Sequence, residues 1–171
     1  LCLLLARTST HGLSGTLYRC WMAHEKPRDQ RLAFEALFPG AHGFWATHFT
    51  WNGTAAPKPT APLGTGRVRT IIGNIVVPAT LAMARLNNQQ HHEAMVYRFF
   101  NALPSEPSNQ ITRIMQERVF PQEVPFRLNF CRQQGLIQMF EDWCHPNPSC
   151  KDCSLNRFFE KGGANNIAPP S

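Results

Sequence analysis

The chain has 171 residues, 16% of them charged and 43% hydrophobic, with a formal net charge of +6 and a pI near 9.3. A chain this long buries about 70% of its unfolded surface, so a true core is within reach. That excludes a chain disordered throughout, a collagen-like fibre and a disulfide-stapled mini-protein. The 17 Lys and Arg, mostly Arg, favour anionic partners such as nucleic acid. The competing reading is a basic protein with no polyanion ligand.

At the start, Leu1-Cys2-Leu3-Leu4-Leu5-Ala6 reads as the interior of an apolar helix. Arg7 follows the run instead of preceding it, which is the wrong layout for a secretory signal. The expectation is a C-terminal part of a longer protein, cut within an upstream helix.

Leu13, Leu17, Cys20 and Trp21 recur at helical spacing. Asp29 to Phe38 continues the pattern through Leu32, Phe34, Leu37 and Phe38, and Pro39-Gly40 stops it. Phe44 to Trp51 holds four aromatics and two threonines, which predicts a short extended segment closed by a turn at Asn52-Gly53. The Ala/Pro/Thr/Gly-rich residues 55–66 read as a loop.

Val68 to Leu86 carries the most continuous apolar stripe and predicts a helix kinked at Pro78. Proline lacks an N–H, so the carbonyl of Asn74 is freed and the Asn74 side chain is expected to bond to the disturbed backbone. A further helix is expected over Gln90–Leu103, ended by Pro104 and Pro107. Asn109 is placed to cap another over Gln110–Phe120. A last one is expected from Phe126 to Trp143, across a tolerated Gly135.

The fold class that follows is mainly α: an irregular helical bundle with one short extended aromatic segment and a C-terminal Cys-rich loop. Residues 1–160 are expected to form a single domain, with 161–171 a disordered tail. No stretch is long enough to cross a bilayer. The longest charge-free apolar run, Thr70 to Ala84, holds 15 residues and includes Gly73, Asn74 and Pro78, against the roughly 20 required.

Three of the six cysteines crowd into Cys144-His-Pro-Asn-Pro-Ser-Cys150-Lys-Asp-Cys153. A Cys-x2-Cys pair presents two thiolates through a tight turn, and a third Cys upstream closes the same knot around zinc or an iron–sulfur cluster. Both groups want four ligands. Cys131 and His145 are the candidates for the fourth, with Cys20 or Cys2 able to reach in from another helix. Thirteen helical residues separate Cys131 from Cys144, about 20 Å at 1.5 Å per residue, so Cys131 joins only if the helix breaks near Gly135. The alternatives are free structural thiols or a redox thiol. Such cysteine usage suits a reducing, cytoplasmic setting.

Leu63-Gly-Thr-Gly-Arg67-Val-Arg69 opens the strongest helix. Backbone N–H groups at a helix start attract anions, and Arg67 and Arg69 would strengthen that attraction toward phosphate or a nucleic-acid backbone. The plainer reading is an entry turn with two solvent-facing arginines. His91 and His92 are adjacent and point about 100° apart on a helix, a poor geometry for one metal. His48, among aromatics, reads as a packed polar edge. No catalytic constellation is legible, since no Ser/His/Asp order or carboxylate pair can be assembled.

The Cys loop is similar to the iron–sulfur loop of helix-hairpin-helix DNA glycosylases. Its first spacing is five residues, where six are required, and Phe159 stands in the place of the fourth Cys. A more specific likeness rests on an ordered set: Phe44-Trp45-Ala-Thr-His48-Phe49, then Leu63-Gly, Arg67 and Ile72-Gly-Asn74-Ile-Val-Val77-Pro78. Asn109-Gln-Ile111-Thr112-Arg113 and Gln134-Gly-Leu136-Ile137 follow, leading into Cys144, Cys150 and Cys153. In this order they resemble a bacterial family of unknown function numbered 2851, over roughly residues 1 to 157. Ser154 departs from the Pro or Ala common there.

The resemblance implies a protein about twice this length, whose N-terminal half carries faintly nuclease-like strand motifs. It assigns no activity. The functional expectation is therefore a helical part of a nucleic-acid-associated bacterial protein with a structural metal site, its missing N-terminal half a natural partner. The alternative is a structural or protein-interaction domain without catalysis or polyanion ligand.

Overall fold

The apolar periodicities become helices in the computed structural model, which describes residues 12–38, 40–61, 63–120, 127–146, 149, 151, 153 and 156–157. In chain order these are α1 (Gly12–Met22), α2 (Pro27–Glu35), α3 (Thr65–Ile71), α4 (Val77–Leu86), α5 (Gln90–Ala102), α6 (Gln110–Val119) and α7 (Phe130–Met139). Among the described residues there is no strand, so the fold is a mainly helical, irregular bundle. Contacts gather into two compact units, residues 1–106 and 107–171. The opening run Leu1–Ala6 and the tail 161–171 lie outside the described residues.

In the first unit, three buried rings from α1, α2 and α5 meet edge to face. Trp21 lies 4.8 Å from both Phe34 and Phe99, and those two are 5.8 Å apart. Such offset geometry sets a positive ring edge against a negative face. Trp21 also donates its indole N–H to the Thr80 hydroxyl at 3.1 Å, tying α1 to α4. Val68, Ile72, Val77, Val96 and Leu103 are among the other buried apolar side chains of this unit.

The connection between α1 and α2 is clamped from within. Gln30 is fully buried, and its Nε2 donates to the carbonyls of Trp21 (3.1 Å) and His24 (2.9 Å). Only the amide nitrogen can satisfy two carbonyls, so this orientation is dictated by chemistry. Pro27 starts α2 where its missing N–H costs nothing. That start precedes the predicted one by two residues. At the other end, Leu37 and Phe38 leave the helix as a turn.

The stripe from Val68 to Leu86 is one long helix with a π turn, Ile72–Val76, between α3 and α4. Val77 N–H reaches back five residues to Ile72 O. The wider turn effectively restarts the helix at Val77, leaving Pro78 in a first turn where proline is tolerated. The Asn74 side chain does not make the expected local bond: it is exposed, and the side-chain bond formed nearby is that of the Thr80 hydroxyl to the Val76 carbonyl four residues back, at 2.7 Å.

At the end of α4, Asn88 takes a left-handed φ of 53°. Its N–H bonds to Arg85 O (3.1 Å) and that of Gln89 to Ala84 O (2.8 Å), a Schellman closure. This lets α5 begin at once.

The aromatic segment 44–51 corrects the expectation of extended chain. Gly43–Ala46 is a 3-10 turn, and Thr50–Gly53 forms a second turn with Gly53 N–H bonded to Thr50 O at 3.2 Å. Strand-forming composition needs a partner strand to complete its hydrogen bonds, and the proline-rich segment that follows offers none.

The second unit is built on caps. Asn109 and Thr112 form a reciprocal capping box on α6: Asn109 Oδ1 accepts from Thr112 N–H (2.8 Å), and Thr112 Oγ1 accepts from Asn109 N–H (3.0 Å). Asn129 Oδ1 likewise accepts from Arg132 N–H (2.8 Å) at the start of α7. Met115, Leu136 and Cys144 are the buried centre, with Ile111, Val119, Leu128, Met139 and Phe140 packed around them. The predicted helix over 126–143 begins at Phe130 and passes unbroken through Gly135.

Candidate functional site

A second π turn, Phe140–Cys144, continues α7 and carries the first residue of the Cys-rich loop. His145 N–H closes it on Phe140 O at 2.8 Å. The extra residue in this turn brings Cys144 inward, where its Sγ lies 3.7 Å from Met115 Sδ in the apolar centre. Cys153 is buried as well, and Cys150 lies outside the described residues.

Cys131 stands at the opposite end of α7, thirteen residues from Cys144 along a helix that Gly135 does not break. The structure therefore does not bring these two thiols together. Burial pushes the Cys131 thiol up from its ordinary value, with Arg132 opposing more weakly. A raised thiol keeps its proton, and the ligating form is the thiolate. His145 is exposed, and its Nδ1 lies 2.9 Å from Glu141 Oε2. Cys20 belongs to the first unit's core, its thiol also raised by burial against the opposing charge of Arg19. Cys2 lies outside the described residues. Among the described residues, no three His, Cys, Asp or Glu side chains converge as a metal would require.

The two arginines at the start of the long helix have different fates. Arg69 Nε donates to Glu35 Oε1 at 2.9 Å, and Arg31 reaches the same oxygen at 2.7 Å. Arg69 thus ties α3 to α2. Arg67 is exposed and stays open to solvent. The expected anion pair is reduced to one arginine beside Gly64, the N-cap of α3.

His91 and His92 have ring centroids 6.0 Å apart, tilted by 58°. His92 Nδ1 bonds to Gln89 Oε1 at 2.8 Å. Beside it, a groove of about 500 Å³ opens between α1, α4 and the start of α5, lined by Tyr18, Trp21, Met22, Met83 and Met95. Its Thr80 is already engaged with Trp21 and Val76.

Sequence reasoning missed the ring packing of the aromatic loop. Phe44 stacks with His48 (4.0 Å, 10°) and with Trp51 (5.4 Å, 24°), while Trp45 meets Trp51 edge-on at 4.7 Å. The rings face outward: Phe49 is 72% and Trp51 74% exposed. His48 fits the packed polar edge expected of it, with Nδ1 3.1 Å from Phe44 O and 3.0 Å from Thr47 Oγ1. The proline-rich return is fastened beneath, Ala56 N–H donating to Thr47 O (2.7 Å) and Thr60 N–H to Ala46 O (2.8 Å). Lys58, flanked by Pro57 and Pro59, lies between those two anchors. The signal available in sequence was the break in apolar period at residue 44.

No family model, no curated protein and no solved structure matches the chain.

Proposed function

We propose that the chain is a nucleic-acid-associated helical segment that holds its ligand chiefly by charge. The observation that carries this reading is the placement of the basic residues. Residues 1–106 hold ten Lys and Arg against five Asp and Glu, a net +5 of the chain's +6. Residues 107–171 hold seven against six. Between Glu35 and Glu93 the sequence contains no acidic residue but keeps Lys58, Arg67, Arg69 and Arg85; Arg69 and Arg85 pair with those two flanking glutamates, and Lys58 and Arg67 stay exposed. A polyanion approaching this unit gains counterion release and meets few carboxylates to repel it. In this reading the protein is bacterial and of the family it resembles, and any nuclease-like chemistry belongs to the upstream half that the resemblance implies.

Titrating the chain into labelled DNA and RNA at two salt concentrations tests the proposal. Binding is expected to weaken steeply with salt, as phosphate contacts require. Absent or salt-insensitive binding returns the chain to the class of structural or protein-interaction domains.

A structural metal is a second proposal, for the other unit. It rests on the spacing of Cys144, Cys150 and Cys153 together with the burial of Cys144 and Cys153. Structural zinc is worth roughly 10 kcal/mol or more in small peptides, ample to order a loop containing two prolines. Metal analysis beside a Cys150→Ser variant decides it. Stoichiometric zinc leaves the protein colourless, and an iron–sulfur cluster turns it brown. Metal-free protein whose variant melts with the wild type removes the site.

A further inference from the structure

Exposed tryptophan is costly to maintain in water, and the loop 43–61 maintains an ordered group of rings there. Its geometry is held from below, not by ring burial. Gly43 takes a φ of +61°, a left-handed value that favours glycine and lets the 3-10 turn begin. The two backbone bonds from Ala56 and Thr60 then fix the return segment against that turn. What results is a row of near-parallel rings, His48, Phe44 and Trp51, ending on an indole that is 74% exposed.

Lys58 supplies the second chemical element. Both neighbouring prolines restrict its backbone, and it sits two residues from each anchored position. It is exposed, and among the described residues no carboxylate pairs with it. A flat π surface and an unneutralised ammonium on one loop match a nucleotide: a base for the ring, a phosphate for the cation. Duplex DNA hides its base faces in the stack, so the matching ligand is single-stranded.

We propose that Phe44, Trp45, Trp51 and Lys58 form a site for unpaired nucleobases, in which a base stacks on the exposed indole of Trp51 and Lys58 meets a phosphate of the same strand. This rests on the nucleic-acid reading above and names the form of nucleic acid and the surface that takes it. Stacking of this type tolerates any base, since each offers a π face.

The test uses the full 171-residue chain with a fluorescently labelled oligothymidylate and a labelled mixed-sequence duplex, each at two salt concentrations. Wild type is expected to bind the single strand more tightly than the duplex, with quenching of tryptophan emission. Trp51→Leu should weaken single-strand binding about 10-fold and leave duplex binding within about 2-fold, while Trp51→Phe, which keeps a π face, retains most of the affinity. Lys58→Ala should lower affinity for the single strand and reduce its salt slope by about 0.7, the loss of one phosphate contact. Circular dichroism of each variant checks that the helices are intact. If Trp51→Leu binds like wild type while binding stays salt-dependent, the platform is overturned and the charge reading stands. If neither oligonucleotide binds, both fall, and the aromatic loop becomes a protein-docking surface.

Discussion

The first unit contains two aromatic clusters with nearly the same ring spacing and opposite relations to water. Trp21, Phe34 and Phe99 meet at 4.8 to 5.8 Å with Trp21 only 2% exposed. Phe44, Trp45 and Trp51 meet at 4.7 to 5.4 Å in the open. Ring contacts alone therefore do not make a core. The buried cluster gathers its rings from two consecutive helices and a third far along the chain, and so closes the unit. The exposed one draws them from eight consecutive residues and closes only a loop.

That contrast should appear first in stability. Phe34→Ala removes a fully buried ring touching both partners and is expected to cost about 3–5 kcal/mol. Denaturant unfolding of the pure variant measures it, and a loss below about 1 kcal/mol would mean that this cluster does not anchor the unit.

Next comes the clamp beside that core. Gln30→Ala strips the carbonyls of Trp21 and His24 of their donor, and a loss of about 2–3 kcal/mol is expected. Gln30→Met keeps the volume without the bonds, so the difference between the two variants separates packing from hydrogen bonding. Equal losses would assign the effect to the bonds alone.

The smallest effect belongs to the exposed cluster. Trp51→Ala should change unfolding free energy by no more than about 0.5 kcal/mol, because most of the indole already faces water. A loss comparable with that of Phe34→Ala would erase the distinction between the clusters and mark the loop as part of the core.

Much of this fold was legible from spacing. Leu17, Cys20 and Trp21 mark α1, and the apolar residues of α5 and α6 give those helices within a residue or so of their ends. The Asn109 cap was legible for the same reason, being a local device read from a few neighbours. What escaped depends on tertiary structure or on counting by one residue. Gln30 reads as a polar surface position, and only two inward carbonyls make it a core residue. Leu32 reads as core and is 46% exposed. The 3-10 turn at Gly43 was hidden behind strand-favouring side chains, whose preference counts only when another strand lies alongside. In the candidate sites, Arg69 could not be separated from Arg67 without knowing that Glu35 stands 2.9 Å away. Cys144 faces Met115 only because a π turn adds a residue.

A helix that carries an extra residue in one turn can also give it up. Removing Asn74 would convert the Ile72–Val76 turn to ordinary α spacing and keep the apolar faces of α3 and α4 in phase, where a deletion elsewhere in either helix would rotate one face by about 100°. The obstacle is Pro78, whose ring would then meet the carbonyl one turn earlier at a cost of about 3 kcal/mol. Deletion of Asn74 is thus expected to destabilise on its own and to be largely rescued by Pro78→Ala, a non-additive pair in a double-mutant cycle of melting curves. Insertion and proline are a matched pair, and a lineage can lose the first without harm only after losing the second.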